Sequence, residues 1–287
     1  MLERGRLKWL FVGPGIIWVL VFTIFPLLYS FRLSFMRARL GQPQTWNGLK
    51  NYARAFSDYR FWDTLEVTVM FVIASVVLTV AMGLGLALLF NRPMPGRRIF
   101  RSLFTMPMFA APIALGYLGL TIFHEQVGAV ATVLRALGMV NLPPWFSNVW
   151  LARLAILLVD IWQWTPFCFL VLLAGLQALP DEIYEAAVLD SSSPWDTFRY
   201  ITLPLLTPVL FTVTMLRTVE AFKILEIPFA MTSGGPGAAT QTYSFYIYLT
   251  GLRNFNAGYA SALAYLLLIF MVAIGIFFFN RMSQLYE

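Results

Sequence analysis

Long apolar runs separated by short polar segments set the pattern of this chain. The first, residues 10–31, has 22 positions without a charge. At 1.5 Å rise per residue, a helix of that length crosses a hydrocarbon core of about 30 Å. The same pattern predicts spans at about 64–90, 102–123, 151–178, 203–222 and 259–280, six in all. Gly13, Pro14 and Pro26 predict bends in the first span, because proline removes a helix donor. Arg4, Arg6 and Lys8 precede that run, as in a signal peptide. The run is too long for a signal-peptide core and no small-x-small cleavage site follows it, so it reads as a retained span.

The polar connections are 32–63, 91–101, 124–150, the stretch from Leu179 to Pro208 and the loop 223–258. The expected fold class is an all-α membrane protein: one transmembrane domain over 1–287, with span one and its outer loop (1–63) preceding a core of about 64–280. No internal repeat is evident, which argues against a transporter built from inverted halves.

Composition sharpens this picture. Charged residues make up 12% and the mean hydropathy is +0.73, against about 25% charged in a soluble chain. The net charge of +6 belongs to topology rather than to nucleic acid, since no Lys/Arg run is present for phosphates. An N-terminus on the inside is favoured by Arg4, Arg6 and Lys8 and by the short loop with Arg92, Arg97, Arg98 and Arg101. Arg32, Arg37 and Arg39 argue the other way.

Several chemistries find no support. No G-x-x-x-x-G-K-[ST] phosphate loop exists, so the chain is not its own P-loop ATPase. His124 is the single histidine, which leaves no His-rich metal site and no Ser-His-Asp set. With Glu125 it reads as a solvated loop pair rather than an acid and base. Cys168, the single cysteine, sits between Phe167 and Phe169 and reads as a small buried hydrophobe.

The stretch from Leu179 to Pro208 stands apart, with five of the fourteen acidic residues: Asp181, Glu182, Glu185, Asp190 and Asp196. Pro180 ends span four and opens a helix with φ preset, placing Asp181 and Glu182 in its first turn, where the helix dipole favours them. Ile183, Ala186 and Ala187 are expected on one face. Ser193, Pro194 and Asp196 give a second helix start, with Ser193 as N-cap. An amphipathic connector on the inner membrane surface is one reading. Such connectors are rich in Lys and Arg, and the acidic character here suits a protein partner better.

Glu185-Ala186-Ala187, followed by Ile201-Thr202-Leu203-Pro204, resembles the EAA loop of ATP-binding-cassette importer permeases, in the variant found in binding-protein-dependent carbohydrate permeases of the maltose and glycerol-phosphate type. An Asp precedes the family glycine in that variant, as Asp190 does here, while Ser191 stands in place of the glycine. Asn47–Tyr52, Asp58 and Phe61-Trp62 are similar to the segment before the second span of those permeases. Arg97–Arg101 and Pro107 resemble their first cytoplasmic loop and the span after it. Gly234–Gly237 with Thr240, Tyr246–Tyr248 and Gly258–Ala262 resemble the region leading into their last span.

The resemblance implies a permease subunit in a prokaryotic inner membrane with both termini cytoplasmic. It implies a second permease subunit, two ATPase subunits and an extracytoplasmic solute-binding protein as partners. ATP and Mg are expected on the ATPase, with no cofactor or metal bound by this chain and no enzymatic activity of its own. Glu185, Ala186, Ala187, Asp190, Ser191, Leu203 and Pro204 would form the ATPase-coupling element, and the cargo would be a sugar or related polyol. An ATP-independent secondary transporter or channel is the alternative, and a membrane-embedded enzyme or scaffold a third.

Polar groups at membrane depth are functional candidates by default. In span four these are Asp160 and Gln163 beside Trp162 and Trp164, aromatic faces with hydrogen-bonding edges that suit a sugar. Span five and its end carry Arg217, Glu220 and Lys223, spaced for an Arg217–Glu220 or Glu220–Lys223 pair. Trp packing and a structural pair or permease–permease contact are the competing readings. Gly234–Gly237 reads as a turn needing positive φ.

Overall fold

The computed structural model describes residues 2–92, 95–189 and 193–284. Among the described residues, five helices are long and apolar enough to cross a membrane. They are α1 (Phe11–Ser34), α3 (Tyr59–Phe90), α7 (Val149–Gln177), α9 (Pro194–Phe222) and α12 (Ala257–Ser283). A bent pair, α4 (Arg97–Phe109) and α5 (Pro112–Ile122), makes the sixth span when taken together. Shorter helices are α2 (Lys50–Ser57), α6 (Ala129–Ala136), α8 (Asp181–Leu189), α10 (Glu226–Thr232) and α11 (Tyr243–Tyr248). Met36–Arg37 and Thr45–Trp46 pair as a two-stranded antiparallel ribbon.

The third span differs from the continuous helix expected over 102–123. Its halves meet at 101°, and two prolines explain the break. Pro107 lies in a 3-10 turn, Met106–Phe109. Ala110 and Ala111 are both extended; for Ala111 this follows because the ring of Pro112 excludes the α region for the residue before it. The carbonyl freed at Ala110 accepts from Gln163 Nε2 of α7 at 3.4 Å. Non-helical backbone at membrane depth is tolerated where a neighbouring helix satisfies it in this way.

Two other prolines alter the hydrogen-bond ladder of a span without breaking it. Pro26 has no N–H for the carbonyl one turn back, and α1 widens to π geometry over Leu20–Ile24, where the Phe25 N–H donates to Leu20 O. Pro204 has the same effect in α9: Phe198–Thr202 is a π segment, and the Leu203 N–H donates to Phe198 O.

The chain forms two compact units. The first comprises residues up to Trp62 together with Tyr246–Phe270. Asn51 ties α2 to the end of α1 by donating to Ser34 O (2.8 Å) and Met36 O (2.9 Å). Asp58 accepts from the hydroxyls of Tyr246 (2.6 Å) and Tyr259 (2.8 Å) and from the Arg60 amide (3.0 Å). Partial burial works against its charge, but the two hydroxyls, the amide and the charge of Arg54 outweigh it and hold the carboxyl below 3.8. Burial, with the Asp58 charge added, pushes the Tyr246 hydroxyl up to about 12, so it remains a donor at neutral pH. Asp58→Ala leaves two hydroxyls without their acceptor and is expected to cost about 2 kcal/mol, read as a lower Tm in detergent. Because the folded carboxyl lies below its unfolded value, this contribution is full above about pH 4 and fades as pH falls further. An unchanged Tm in Asp58→Ala at pH 7 would count against the tie.

The second unit comprises Asp63–Phe245 with the residues from Met271 onward. One apolar cluster gathers Phe71, Leu115, Ile156, Val159 and Ile227, and another gathers Ala87, Cys168, Phe169, Leu172 and Leu206. Cys168 is fully buried, the small core hydrophobe that its neighbours predict. Helices α5 and α10 meet at Gly116, where a Cβ would lie 2.6 Å from that of Ala230. Such close approach requires a residue without a side chain. The turn at Gly234–Gly237 has the expected positive φ, 89° at Gly234 and 62° at Gly237.

Candidate functional site

The first candidate lies on α8 and the start of α9. Pro180 precedes α8, and Asp181 and Glu182 occupy its first turn. Ala187 is buried, Ile183 and Tyr184 are half-buried, and the Tyr184 hydroxyl bonds Thr202 Oγ1 at 3.2 Å, holding α8 against α9. Asp181, Glu182, Glu185 and Ala186 are exposed. Ala186 thus faces outward beside Glu185 instead of sharing the packed face with Ala187. At 100° per residue, Ile183, Tyr184 and Ala187 make the i, i+1, i+4 face, and the docking against Thr202 selects it. Neither Glu182 nor Glu185 has an ion-pair partner among the described residues.

The second helix start forms as its residues dictate. Ser193 Oγ accepts from the Asp196 N–H at 3.1 Å and donates to Asp196 Oδ2 at 2.6 Å, a reciprocal cap. Trp195 and Tyr200 project from this turn, 64% and 67% exposed. Leu203 is half-buried and Pro204 exposed. Asp190 and Ser191, also expected in this element, lie outside the described residues.

The second candidate is at membrane depth. Asp160 of α7, Arg217 of α9 and Ser75 of α3 meet in one buried cluster. The Arg217 guanidinium pairs with Asp160 Oδ2, and the Ser75 hydroxyl donates to the same oxygen. Arg217 is 0% exposed, and its Nε and Nη1 have no hydrogen-bond partner among the described residues. Its guanidinium carbon lies 5.1 Å from the centre of the Trp164 ring, within cation–π range. Of the two pairs expected within span five, Glu220–Lys223 forms, at 2.6 Å. Arg217 instead reaches across to Asp160, a partner that spacing along one helix cannot indicate.

Beside this cluster is a cavity of about 260 Å³, lined by Asp160, Gln163, Trp164, Glu220, Lys223 and Glu226 among others. Residues 160, 163 and 164 share a helix face, being three and four apart. Trp162 lies round the helix from them, half-exposed, in an apolar hollow with Phe104, Pro107 and Leu118. Five of the expected substrate-path residues therefore line one cavity, Arg217 stands behind it, and Trp162 is elsewhere. Sequence reasoning missed Ser75 and Glu226. For Ser75 a signal existed: Thr64, Thr68, Ser75 and Thr79 are spaced four, seven and four apart, and all are buried on one face of α3.

Residues 78–287 match the family described as binding-protein-dependent transport system inner membrane component. The chain is 36% identical over 257 residues to the trehalose/maltose transport system permease protein MalF of Thermococcus litoralis, covering 89% of this chain and 85% of the relative. It is 32% identical to the sn-glycerol-3-phosphate transport system permease protein UgpA of Agrobacterium fabrum, over 97% of this chain and 95% of that one. The crystal structure of a bacterial ABC transporter involved in the import of the acidic polysaccharide alginate contains a chain of the same fold, with TM-score 0.85 at 22% identity and coverage of 99% and 98%. Members of the family act with a second permease subunit, ATPase subunits and an extracytoplasmic binding protein. By the match over most of its length, this chain belongs to the inner membrane components of binding-protein-dependent transport systems: it is a permease subunit of an ATP-driven importer, not the enzyme that hydrolyses the ATP.

Proposed function

We propose that this permease subunit carries a sugar or related polyol past Asp160, Gln163, Trp164, Arg217, Glu220 and Lys223, and takes its driving motion through α8. The observation that carries the substrate reading is the cavity at membrane depth, where the Trp164 ring adjoins unused hydrogen-bonding groups. An apolar ring face and polar edges match a sugar's own two kinds of surface. Relatives named for trehalose/maltose and for glycerol phosphate support the same class. Trp162, in its apolar hollow, drops out of this path.

For the coupling element, Glu185 and Ala186 with Leu203 and Pro204 form the surface offered to an ATPase subunit, and the sequence assigns Asp190 and Ser191 to the same element. Exposed carboxylates without ion-pair partners among the described residues, together with the exposed rings of Trp195 and Tyr200, suit a protein groove with basic rims. Both termini and α8 lie on the cytoplasmic side, supported by the basic N-terminal segment and the 92–101 loop. ATP and Mg bind on the partner ATPase, and closure of the ATPase pair biases the bundle between two states.

Reconstitution of this chain with its partner subunits in proteoliposomes tests the reading. Trehalose or maltose accumulates only when ATP and the cognate binding protein are both supplied. Equal flux without ATP favours the secondary transporter or channel instead.

A further inference from the structure

The relatives divide by charge: trehalose and maltose are neutral, whereas sn-glycerol 3-phosphate is an anion. The cavity between α7, α9 and α10 bears on which kind this chain accepts. Three carboxylates line it, Asp160, Glu220 and Glu226, with one cation, Lys223, and a second, Arg217, behind Asp160. Each cation is engaged: Arg217 holds Asp160, and Lys223 Nζ holds Glu220 Oε1 at 2.6 Å. Glu226 has no ion-pair partner among the described residues. The balance is one negative charge in excess, and each cation already faces a carboxylate.

The hydrogen-bonding inventory agrees. Gln163 is 4% exposed, and its Oε1 has no partner among the described residues. Carboxylates add only acceptors. A ligand that satisfies these acceptors must donate, as a hydroxyl does and as an ionised phosphate, sulfonate or carboxylate does not. A hydroxyl can also accept from Arg217 Nε and Nη1, which have no partner among the described residues. The Trp164 ring offers the flat apolar face. At about 260 Å³ the space lies just below the ~300–1,000 Å³ of drug-sized pockets, which suits one sugar ring or a small polyol.

We propose that this cavity selects a neutral, hydroxyl-rich ligand against phosphorylated, sulfonated or uronic counterparts, with Gln163 and Glu226 as the residues that set the selection. The inference rests on the substrate path proposed above. Glu226 supplies the unpaired negative charge, and Gln163 supplies a buried acceptor that only a donor satisfies.

The test is uptake by the assembled importer with its cognate binding protein in proteoliposomes. The probes are trehalose, maltose and glycerol as neutral ligands, with sn-glycerol 3-phosphate and glucuronate as anions. The neutral class is expected to be taken up at least about tenfold faster at equal concentration, the scale of an uncompensated like charge nearby. Glu226→Lys is expected to shift the anion-to-neutral ratio upward by about tenfold, and Gln163→Leu to reduce neutral uptake by about tenfold through its lost acceptor. An anion taken up as fast as every neutral probe overturns the selection. Neutral preference that neither variant alters also overturns it, because the choice then lies outside this cavity, while the proposed function stands. If none of the five probes is taken up, the substrate reading falls and the inference with it.

Discussion

Glu185→Lys is expected to abolish ATP-coupled uptake, a loss of a hundredfold or more. Glu185 is exposed on α8, one turn from Glu182, and neither makes an ion pair among the described residues. Reversing its charge therefore removes nothing that holds the permease together. At an interface matched to a carboxylate, however, a lysine meets like charge, which costs several kcal/mol; about 2.7 kcal/mol is already a hundredfold. Membrane insertion and Tm are expected to match the parent, while co-purification of the ATPase falls. Uptake at the normal coupled rate in this variant would remove Glu185 from the coupling surface. A lowered Tm would show instead that Glu185 supports the fold.

Asp160→Ala is expected to be the most destabilising single change in the bundle. It leaves Arg217, fully buried, with its charge unmatched and only the Ser75 hydroxyl of its two hydrogen-bond partners. Removing one partner of a buried pair costs about 3–5 kcal/mol. Ser75→Ala removes one hydroxyl from the same cluster and should cost about 1 kcal/mol. The double variant Asp160→Leu with Arg217→Met removes both charges and is expected to recover much of the lost stability. Thermal unfolding of the purified importer reads all three. Equal Tm for parent and Asp160→Ala would mean that the pair contributes nothing to the fold. Recovery of Tm without recovery of uptake in the double variant would separate the structural role of the pair from its place beside the cavity.

Much of the architecture was legible because a bilayer demands long apolar runs, and such runs are visible without any contact information. The Ser193 cap and the Pro180 helix start were legible for a related reason: both act on backbone groups within four residues. The bend between α4 and α5 was missed although Pro107 and Pro112 stand in that apolar run. A proline marks a possible break, but whether the chain turns by 101° there depends on a neighbour such as Gln163 to take up the freed carbonyl. The acidic helix α8 was expected from its residues, and its coupling role from the resemblance alone. Its packed face was misassigned at Ala186, since the contact with Thr202 that orients it joins residues 18 apart in the chain.

The sequence alone determined the membrane spans, the acidic helix between the fourth and fifth and the absence of a phosphate loop, each from composition or from local rules whose range is a turn or two of helix. Membership of the permease family came from likeness to known sequences instead. The tertiary structure decided the rest. It matched Arg217 with Asp160 rather than with Glu220, brought Ser75 to them, and turned Trp162 away while placing Gln163, Trp164 and Glu226 around one cavity. Those pairings join helices 57 and 85 residues apart. Burying a charge without a partner is costly, so the helices pack where the charges meet, and no spacing along the chain encodes that meeting.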